Sequence, residues 1–212
     1  MSVAAIVPAY NEERTVGVVL ETLLNCPSVD EVILVNDGST DGTAQVGSNY
    51  PVTVVNLEVN LGKGGAMKAG ADQTDCDVLV FIDADLVGLR TEHVEALLQP
   101  VLSGLTEMSI GVFSDGRPST DLAQKLAPSL SGQRAVTKAL FNQVPHLEES
   151  RYGVEVALTR YAERHGVEIA KVPLPALSQI VKEEKLGFAK GLKARMEMYK
   201  DIIKSLADVD GE

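Results

Sequence analysis

The chain has 212 residues, of which 45% are hydrophobic and 23% charged, and this fits one globular domain. Its net charge of −11 disfavours non-specific binding to nucleic acid, and no run approaches the ~20 apolar residues that a membrane-spanning helix needs. The N-terminus lacks a basic segment followed by a long apolar run, so we expect no signal peptide and a cytoplasmic protein with two reduced cysteines.

Short apolar runs alternate with amphipathic helical patterns in the first half of the chain. The predicted strands cover residues 3–7, 32–35, 52–55 and 78–82. The first predicted helix follows Asn11 as its N-cap and carries one apolar stripe, formed by Val16, Val19, Leu20, Leu23 and Leu24. Further helices are predicted after the other three strands. This alternation predicts an α/β fold with a mostly parallel sheet flanked by helices.

The pattern is less regular beyond Ser114. A helix is predicted from near Arg134, a striped helix over residues 154–162 and a late strand over residues 168–174. No linker-like segment separates the two halves, so we expect a single domain over residues 1–212 in which the second half extends the same sheet.

Polar clusters follow each of the four predicted strands. They are PAYNEE from residue 8, NDGSTD from residue 36, NLGKGGA from residue 60 and DAD from residue 83. The carboxyl ends of parallel strands meet at one edge of a sheet, and ligands bind in the crevice there. We therefore expect the four clusters to form one ligand site.

Asp83 and Asp85 are the clearest candidates for a metal site. In extended backbone, residues two apart point to the same side, so both carboxylates would face one ion. Two hard oxygen ligands together with phosphate oxygens suit Mg²⁺ or Mn²⁺. The alternative is that the two aspartates cap a helix or lie in a solvated turn.

Gly62 and Lys63 open the third predicted helix. Backbone amides at a helix N-terminus and the Lys63 ammonium both favour a phosphate anion. The spacing is not that of a P-loop, so a simple turn is the alternative. Asp37 can accept hydrogen bonds from a base or a ribose, and its alternative role is an Asx turn that caps the next helix.

The order and spacing of these clusters resemble those of the family 2 glycosyltransferases. The motifs are VPAYNEE at 7–13, VNDGSTDGT at 35–43, NLGKG at 60–64 and DAD at 83–85. The resemblance implies a GT-A (Rossmann-like) fold, a nucleotide-sugar donor and an Mg²⁺ or Mn²⁺ ion bound by Asp83 and the catalytic Asp85. Residues 1–114 would bind the donor, and residues 115–212 the acceptor. The implied donor-binding residues are Pro8, Ala9, Tyr10, Glu12, Asp37, Gly62, Lys63 and Ala84.

The second half resembles a narrower group, the bacterial relatives of glucosyl-3-phosphoglycerate synthase and of polyprenyl-phosphate sugar transferases. The similar stretches are LSGQRA at 130–135, YGVE at 152–155 and VKEEKLG at 181–187. They imply that the acceptor is a small phosphorylated acid or a lipid phosphate. The implied acceptor-binding residues are Ser131, Gly132, Arg134 and Tyr152. Arg134 suits a phosphate or carboxylate through bidentate pairing, and the alternative is an ordinary surface arginine.

Glu155 and Gln179 complete the predicted site. If the reaction inverts the anomeric centre, a carboxylate must take the proton of the acceptor hydroxyl, and Glu155 is the candidate. If configuration is retained, Glu155 orients the acceptor instead. Relatives in the narrower group often carry a histidine as third metal ligand where this chain has Gln179, a neutral and weaker ligand.

The C-terminal segment combines basic residues with an apolar face. Seven of the 19 Lys and Arg residues lie between positions 182 and 204. A basic amphipathic helix can contact an anionic membrane. Alternatively, it packs on the domain or on a second subunit of a homodimer. The three histidines have no ligand spacing, and we expect them to be exposed.

The sequence favours a metal-dependent glycosyltransferase that uses a UDP- or GDP-sugar. A nucleotidyltransferase would need a glycine-rich loop with an arginine after the first strand, and residues 8–13 are not such a loop. A catalytically silent nucleotide-sugar-binding homologue or scaffold stays open because of Gln179.

Overall fold

The strands form one large sheet and one small sheet. In the computed structural model, which describes residues 1–113, 131–149 and 153–179, the strands are β1 (Val3–Ala9), β2 (Glu31–Asn36), β3 (Thr53–Asn56), β4 (Val78–Phe81), β5 (Leu86–Val87), β6 (Met108–Phe113), β7 (Arg134–Thr137), β8 (Ile169–Leu174) and β9 (Ser178–Gln179). Seven of them form a sheet in the order β3-β2-β1-β4-β7-β6-β8, and β5 pairs with β9. Neighbours in the large sheet are parallel except where β7 lies antiparallel to β4 and β6. The predicted mostly parallel α/β fold is confirmed.

Helices cover both faces of the large sheet. They are α1 (Val16–Leu24), α2 (Thr43–Gly47), α3 (Gly62–Ala71), α4 (Thr91–Leu102), α5 (Lys138–Phe141) and α6 (Val154–Arg164), with a 3₁₀ turn at Leu147–Glu149. Val3, Ala5 and Val7 of β1 pack in one core with α1 and α4, whereas Ala4 and Ile6 pack in a second core with α3 and α6. Burial on both faces explains why the strands are continuous apolar runs. None of the helices that the structure describes is long and apolar enough to cross a membrane.

The antiparallel strand β7 brings the second half of the chain to the middle of the sheet. The helix predicted from near Arg134 begins only at Lys138, because residues 134–137 form β7 between β4 and β6. Ala135 and Val136 are buried in opposite cores, so sheet pairing rather than a helical stripe determines their conformation. Arg134 lies opposite Phe81 in the register. Residues that precede Arg134 therefore run beside residues that follow Phe81.

The other two elements predicted for the second half are present. The striped helix is α6, whose buried residues include Val154, Leu158 and Ala162. The late strand is β8, which lies parallel to β6 at one edge of the large sheet. The second half therefore extends the sheet that the first half begins.

His93 is buried, so the prediction that all three histidines are exposed is wrong for this residue. In the first turn of α4, His93 Nδ1 accepts a hydrogen bond from Arg90 N at 3.2 Å, and the ring also bonds the backbone of Pro175. Burial, followed by the charge of Arg90, lowers the pKa of His93 below its ordinary value. The histidine thus links α4 to the segment that leads into β9.

We expect His93 to make the free energy of unfolding fall as the pH is lowered through about 6.5, the usual pKa of histidine. The unfolded chain then takes up a proton that folded His93 resists, because its pKa is depressed in the folded state. Urea unfolding between about pH 5 and pH 8 measures this dependence.

His93→Asn separates this contribution from that of the carboxylates. Its amide oxygen can accept from Arg90 N but does not titrate, so the stability advantage of the wild type should shrink below about pH 6.5. His165→Asn changes an exposed histidine and should follow the wild-type profile. Parallel profiles for wild type and His93→Asn would contradict the assignment.

Candidate active site

The loops after β1 and β2 bind each other at the carboxyl edge of the sheet. Asp37 N donates a hydrogen bond to Ala9 O at 2.8 Å. Asn11 does not cap α1, whose N-cap is Thr15. Instead, Asn11 has a φ of 58° and accepts a hydrogen bond at Oδ1 from Thr40 N at 2.8 Å. The first two polar clusters therefore lie together, as expected for neighbouring parallel strands.

The other predicted donor residues of the first loop line the same edge. Pro8 is half-buried at the end of β1, and Tyr10 is 47% exposed. Glu12 is anchored, since its backbone N donates to Thr43 Oγ1 at 2.8 Å and its Oε2 accepts from Thr15 Oγ1 at 3.2 Å. The Tyr10 ring is therefore exposed on a loop that the hydrogen bonds of Glu12 anchor to Thr15 and Thr43.

The carboxylate of Asp37 holds the start of α3. Its Oδ1 accepts from Leu61 N at 2.7 Å, and its Oδ2 accepts from Gly62 N at 2.9 Å. Gly38 permits this close approach, because its φ is 68° and a Cβ there would lie 2.8 Å from Asn60 N. These two amides at the helix start already have an acceptor. The contact of Asp37 with a base stays a prediction.

Lys63 joins one carboxylate from each half of the chain, and we call Lys63, Asp83 and Glu155 the ion-pair cluster. Lys63 Nζ lies 2.5 Å from Asp83 Oδ1 and 2.7 Å from Glu155 Oε1. Burial disfavours the ammonium, but the two carboxylates outweigh that effect and raise the pKa of Lys63 above its usual range. Lys63 therefore stays charged at neutral pH and connects α3, the loop after β4 and α6.

Residues just before β7 contact this cluster from the other side. Gln133, which the sequence analysis missed, donates from Nε2 to Asp83 Oδ2 at 2.8 Å, and its Oε1 accepts from Ser131 Oγ at 3.2 Å. Gly132 lies so close that a Cβ there would overlap the Asp83 oxygens and Lys63 Nζ. The structure therefore brings the predicted acceptor residues Ser131 and Gly132 beside the predicted donor and metal residues Lys63 and Asp83.

Arg134 is fully buried behind the cluster. Its Nη1 donates to the backbone carbonyl of Glu155 at 3.1 Å, and its Nη2 donates to that of Ser131 at 2.7 Å. Burial lowers the pKa of Arg134 to about 10, against the attraction of the Glu155 and Asp83 carboxylates. Its buried Nε has no acceptor within the described parts of the chain. The observed contacts join the backbones at 131 and 155, and a contact with an acceptor stays a prediction.

Comparison with known proteins places this site in a family. Residues 4–149 match the family described as Glycosyl transferase family 2, and this stretch is more than half of the 212 residues. The chain belongs to glycosyltransferase family 2. The family resemblance predicted from the four motifs is confirmed.

One curated relative is similar to this chain over only part of its length. The 4,4'-diaponeurosporenoate glycosyltransferase of Staphylococcus aureus strain bovine RF122 is 36% identical over 102 residues. These residues are 46% of this chain and 27% of that protein, so the match spans about a quarter of the relative's length.

Solved structures of glucosyl-3-phosphoglycerate synthase from Mycobacterium tuberculosis share the fold over nearly the whole family 2 chain. The complex with Mn²⁺, UDP and phosphoglyceric acid has a TM-score of 0.82 at 26% identity, covering 99% of this chain and 78% of that chain. The complex with Mg²⁺ and UDP has a TM-score of 0.80 at 27% identity, covering 98% and 78%. The GT-A fold expected for the family is confirmed.

The segment after β4 does not continue the strand through both predicted metal ligands. Ala84 and Asp85 form a turn, so the expectation that Asp83 and Asp85 share extended backbone is wrong. Each Asp83 oxygen has a partner, Lys63 at Oδ1 and Gln133 at Oδ2. A metal ion bound by Asp83 would therefore compete with these side chains. Asp85 is half-buried in the turn.

The predicted metal site at this edge of the sheet stays a prediction, and the described residues supply the carboxylates of Asp83 and Asp85 to it. Gln179 lies opposite Leu86 in the pairing of β5 with β9, one residue beyond Asp85. Carboxylate and amide oxygens are ligands that Mg²⁺ accepts. Within the described ranges, no group of three or more His, Cys, Asp or Glu side chains could hold a metal. Phosphate oxygens of a nucleotide would supply the remaining positions.

Two predicted features fall on parts of the chain that are not described. Tyr152, predicted to bind the acceptor, lies outside the described residues. The basic amphipathic helix predicted near the C-terminus also lies outside them.

Lys63→Met should lower the free energy of unfolding by about 1–3 kcal/mol, because it leaves two mostly buried carboxylates without their cation. Adding Glu155→Gln should recover part of that loss by removing one uncompensated charge. Urea denaturation of the single and double variants measures both effects.

Lys68→Met is the matched control on the same helix. Lys68 pairs with Asp72 at the surface, where both side chains are more than a third exposed, so the loss should stay below about 1 kcal/mol. Equal losses at positions 63 and 68 would contradict the special role of the ion-pair cluster.

Proposed function

We propose that this chain transfers a sugar from a nucleoside diphosphate donor to a phosphorylated acceptor with the help of Mg²⁺ or Mn²⁺. Family membership supports sugar transfer. The observation that carries the proposal is that Lys63 lies 2.5 Å from Asp83 and 2.7 Å from Glu155, at the edge where the four polar clusters converge. A catalytically silent scaffold has no need of a half-buried cation balanced by two carboxylates there, which favours the enzyme.

UDP-glucose is the donor that we propose. Structures that align with 98–99% of this chain hold UDP or UDP-glucose together with Mn²⁺ or Mg²⁺. They favour UDP over GDP, the other donor that the sequence left open. Lys63 would meet the diphosphate, and Asp37 and the loop at 8–12 would face the base.

A small phosphorylated acid is the acceptor that we propose. The Mycobacterium tuberculosis synthase has been solved with phosphoglyceric acid and with glycerol 3-phosphate. That likeness covers nearly the whole chain, whereas the likeness to the Staphylococcus aureus enzyme covers 46% of it. A lipid-phosphate acceptor, membrane contact, a cytoplasmic location and a homodimer stay predictions.

We propose a role for each of the side chains at this edge of the sheet. Mg²⁺ or Mn²⁺, when bound, neutralises charge on the departing diphosphate, and Asp85 would hold it with Asp83 and Gln179. Lys63 presents a permanent cation to the same diphosphate, in exchange for a contact with Asp83 or Glu155. Glu155 takes the proton of the acceptor hydroxyl if the reaction inverts configuration, or orients the acceptor if it retains configuration.

Calorimetric titration with UDP-glucose and GDP-mannose, each with and without Mn²⁺, tests the donor and the metal together. We expect about micromolar, Mn²⁺-dependent binding of UDP-glucose and at least about tenfold weaker binding of GDP-mannose. Asp85→Ala should abolish the Mn²⁺-dependent part of binding, and transfer with it, while the fold remains. Asp72→Ala, at an exposed aspartate after α3, is the matched control and should bind like the wild type.

Two outcomes would contradict the proposal in different ways. Binding of neither sugar nucleotide would remove the proposed donors and favour the silent homologue. Full transfer activity in Asp83→Ala and Asp85→Ala would overturn the metal assignment. If neither donor binds, Gln179→His would show whether the histidine implied by resemblance to the narrower group restores metal-dependent binding.

A further inference from the structure

We propose that Gln133 is a positioning residue that fixes the carboxylate of Asp83 and, through it, the Lys63 ammonium for the donor diphosphate. This inference rests on the proposed function and deepens it. Gln133 lies in the LSGQRA stretch but received no role from the sequence, and the role proposed here rests on where the antiparallel strand β7 places it.

The amide of Gln133 has one orientation in this network. Its Nε2 donates to Asp83 Oδ2 at 2.8 Å, and its Oε1 accepts from Ser131 Oγ at 3.2 Å. An ionised carboxylate only accepts hydrogen bonds, so the amide nitrogen must face Asp83. A reversed amide would bring two acceptors together inside a buried site, at the cost of the hydrogen bond.

Gln133 orients the carboxylate of Asp83 relative to the Lys63 ammonium. The two carboxylate oxygens divide their contacts, with Oδ1 on Lys63 Nζ and Oδ2 on Gln133. Two contacts on different oxygens fix the rotation of the carboxylate about the Cβ–Cγ bond. Without Gln133 the carboxylate can turn, and Lys63 keeps its contact with Glu155 but loses a fixed partner on the donor side.

The backbone of Gln133 is held in the sheet without help from its side-chain amide. Gln133 O accepts from Gly111 N at 2.8 Å, so the sheet already holds this residue in place. Gly132 has no Cβ, and this allows Asp83 and Lys63 to approach the chain closely. An apolar side chain of the same length would fill the same space but would lack both the donor to Asp83 and the acceptor for Ser131.

Charge balance explains why a neutral donor suits this position. Among the described residues, Gln133 lies beside a network that includes two cations, Lys63 and Arg134, and two carboxylates, Asp83 and Glu155. A carboxylate at position 133 would add a third negative charge next to Asp83, and a lysine would add a third positive one. The glutamine donates to Asp83 and leaves the balance unchanged.

The test compares Gln133→Met and Gln133→Glu with the wild type by calorimetric titration of UDP in EDTA and in Mn²⁺. Loss of a hydrogen bond to a charged group should weaken UDP binding about tenfold in Gln133→Met. Gln133→Glu, which replaces the donor by a second carboxylate, should bind more weakly still. In transfer assays, KM for the donor should rise more than KM for the acceptor, although Gln133 also contacts the predicted acceptor residue Ser131. Gln143→Met, at an exposed glutamine after α5, should match the wild type.

A double-mutant cycle with Lys63→Met shows whether Gln133 acts through Lys63. If it does, Gln133→Met should not weaken UDP binding further in the Lys63→Met protein. Wild-type affinity in Gln133→Met, or independent losses from the two substitutions, would overturn the proposal. Tm is measured for each variant. If Gln133 only fills space, its substitution should lower Tm without a selective rise in KM for the donor.

The same cycle separates this inference from the proposed function. If the wild-type protein binds no UDP, the proposed donor fails. The cycle is then read from urea unfolding. If the two residues are coupled, each single substitution raises the unfolding equilibrium constant by some factor. The double variant should then raise it by at least about threefold less than the product of those two factors. Independent effects on unfolding would overturn the positioning role even in that case.

Discussion

The site depends on one ammonium group, that of Lys63, held between two mostly buried carboxylates. Asp83 follows β4 and Glu155 begins α6, so the pairing draws together segments about seventy residues apart. Arg134, a fully buried cation, donates a hydrogen bond to the backbone carbonyl of Glu155. In a poorly hydrated site an unpaired charge is costly, so these four side chains constrain one another. That mutual constraint gives the acidic protein a positive group at the edge where a diphosphate would bind.

Much of the fold could be predicted because the first four strands are apolar runs followed by turn residues. Residues 134–137 could not be assigned in this way. A four-residue segment that begins with arginine has neither a helical stripe nor a strand alternation long enough to recognise. Its neighbours β4 and β6 select the extended conformation, and they lie far away in the sequence. β6 itself was not predicted, because its central glycine and serine interrupt the apolar pattern.

The candidate site could be predicted residue by residue, but the partners of each residue could not. Lys63, Asp83 and Glu155 follow from motifs, yet their contacts depend on the antiparallel register of β7. The same register places Gln133 against Asp83. For Asp37 the sequence did suggest possible partners, namely a nucleotide base or the backbone of a local turn. The structure instead shows its carboxylate on the amides of Leu61 and Gly62, more than twenty residues away.

The position of β7 between β4 and β6 also constrains the order in which the chain can assemble. In the large sheet β6 pairs with β7 and β8, both of which are synthesised after it. A nascent chain that ends before residue 134 can therefore join β1 to β4, while β4 keeps an open edge and β6 has no partner. Exposed edges of this kind promote association with other chains. Every residue of the stretch 78–81 is buried in the finished sheet. Until β7 pairs with it, this stretch is an exposed apolar edge through which the nascent chain can associate with other chains.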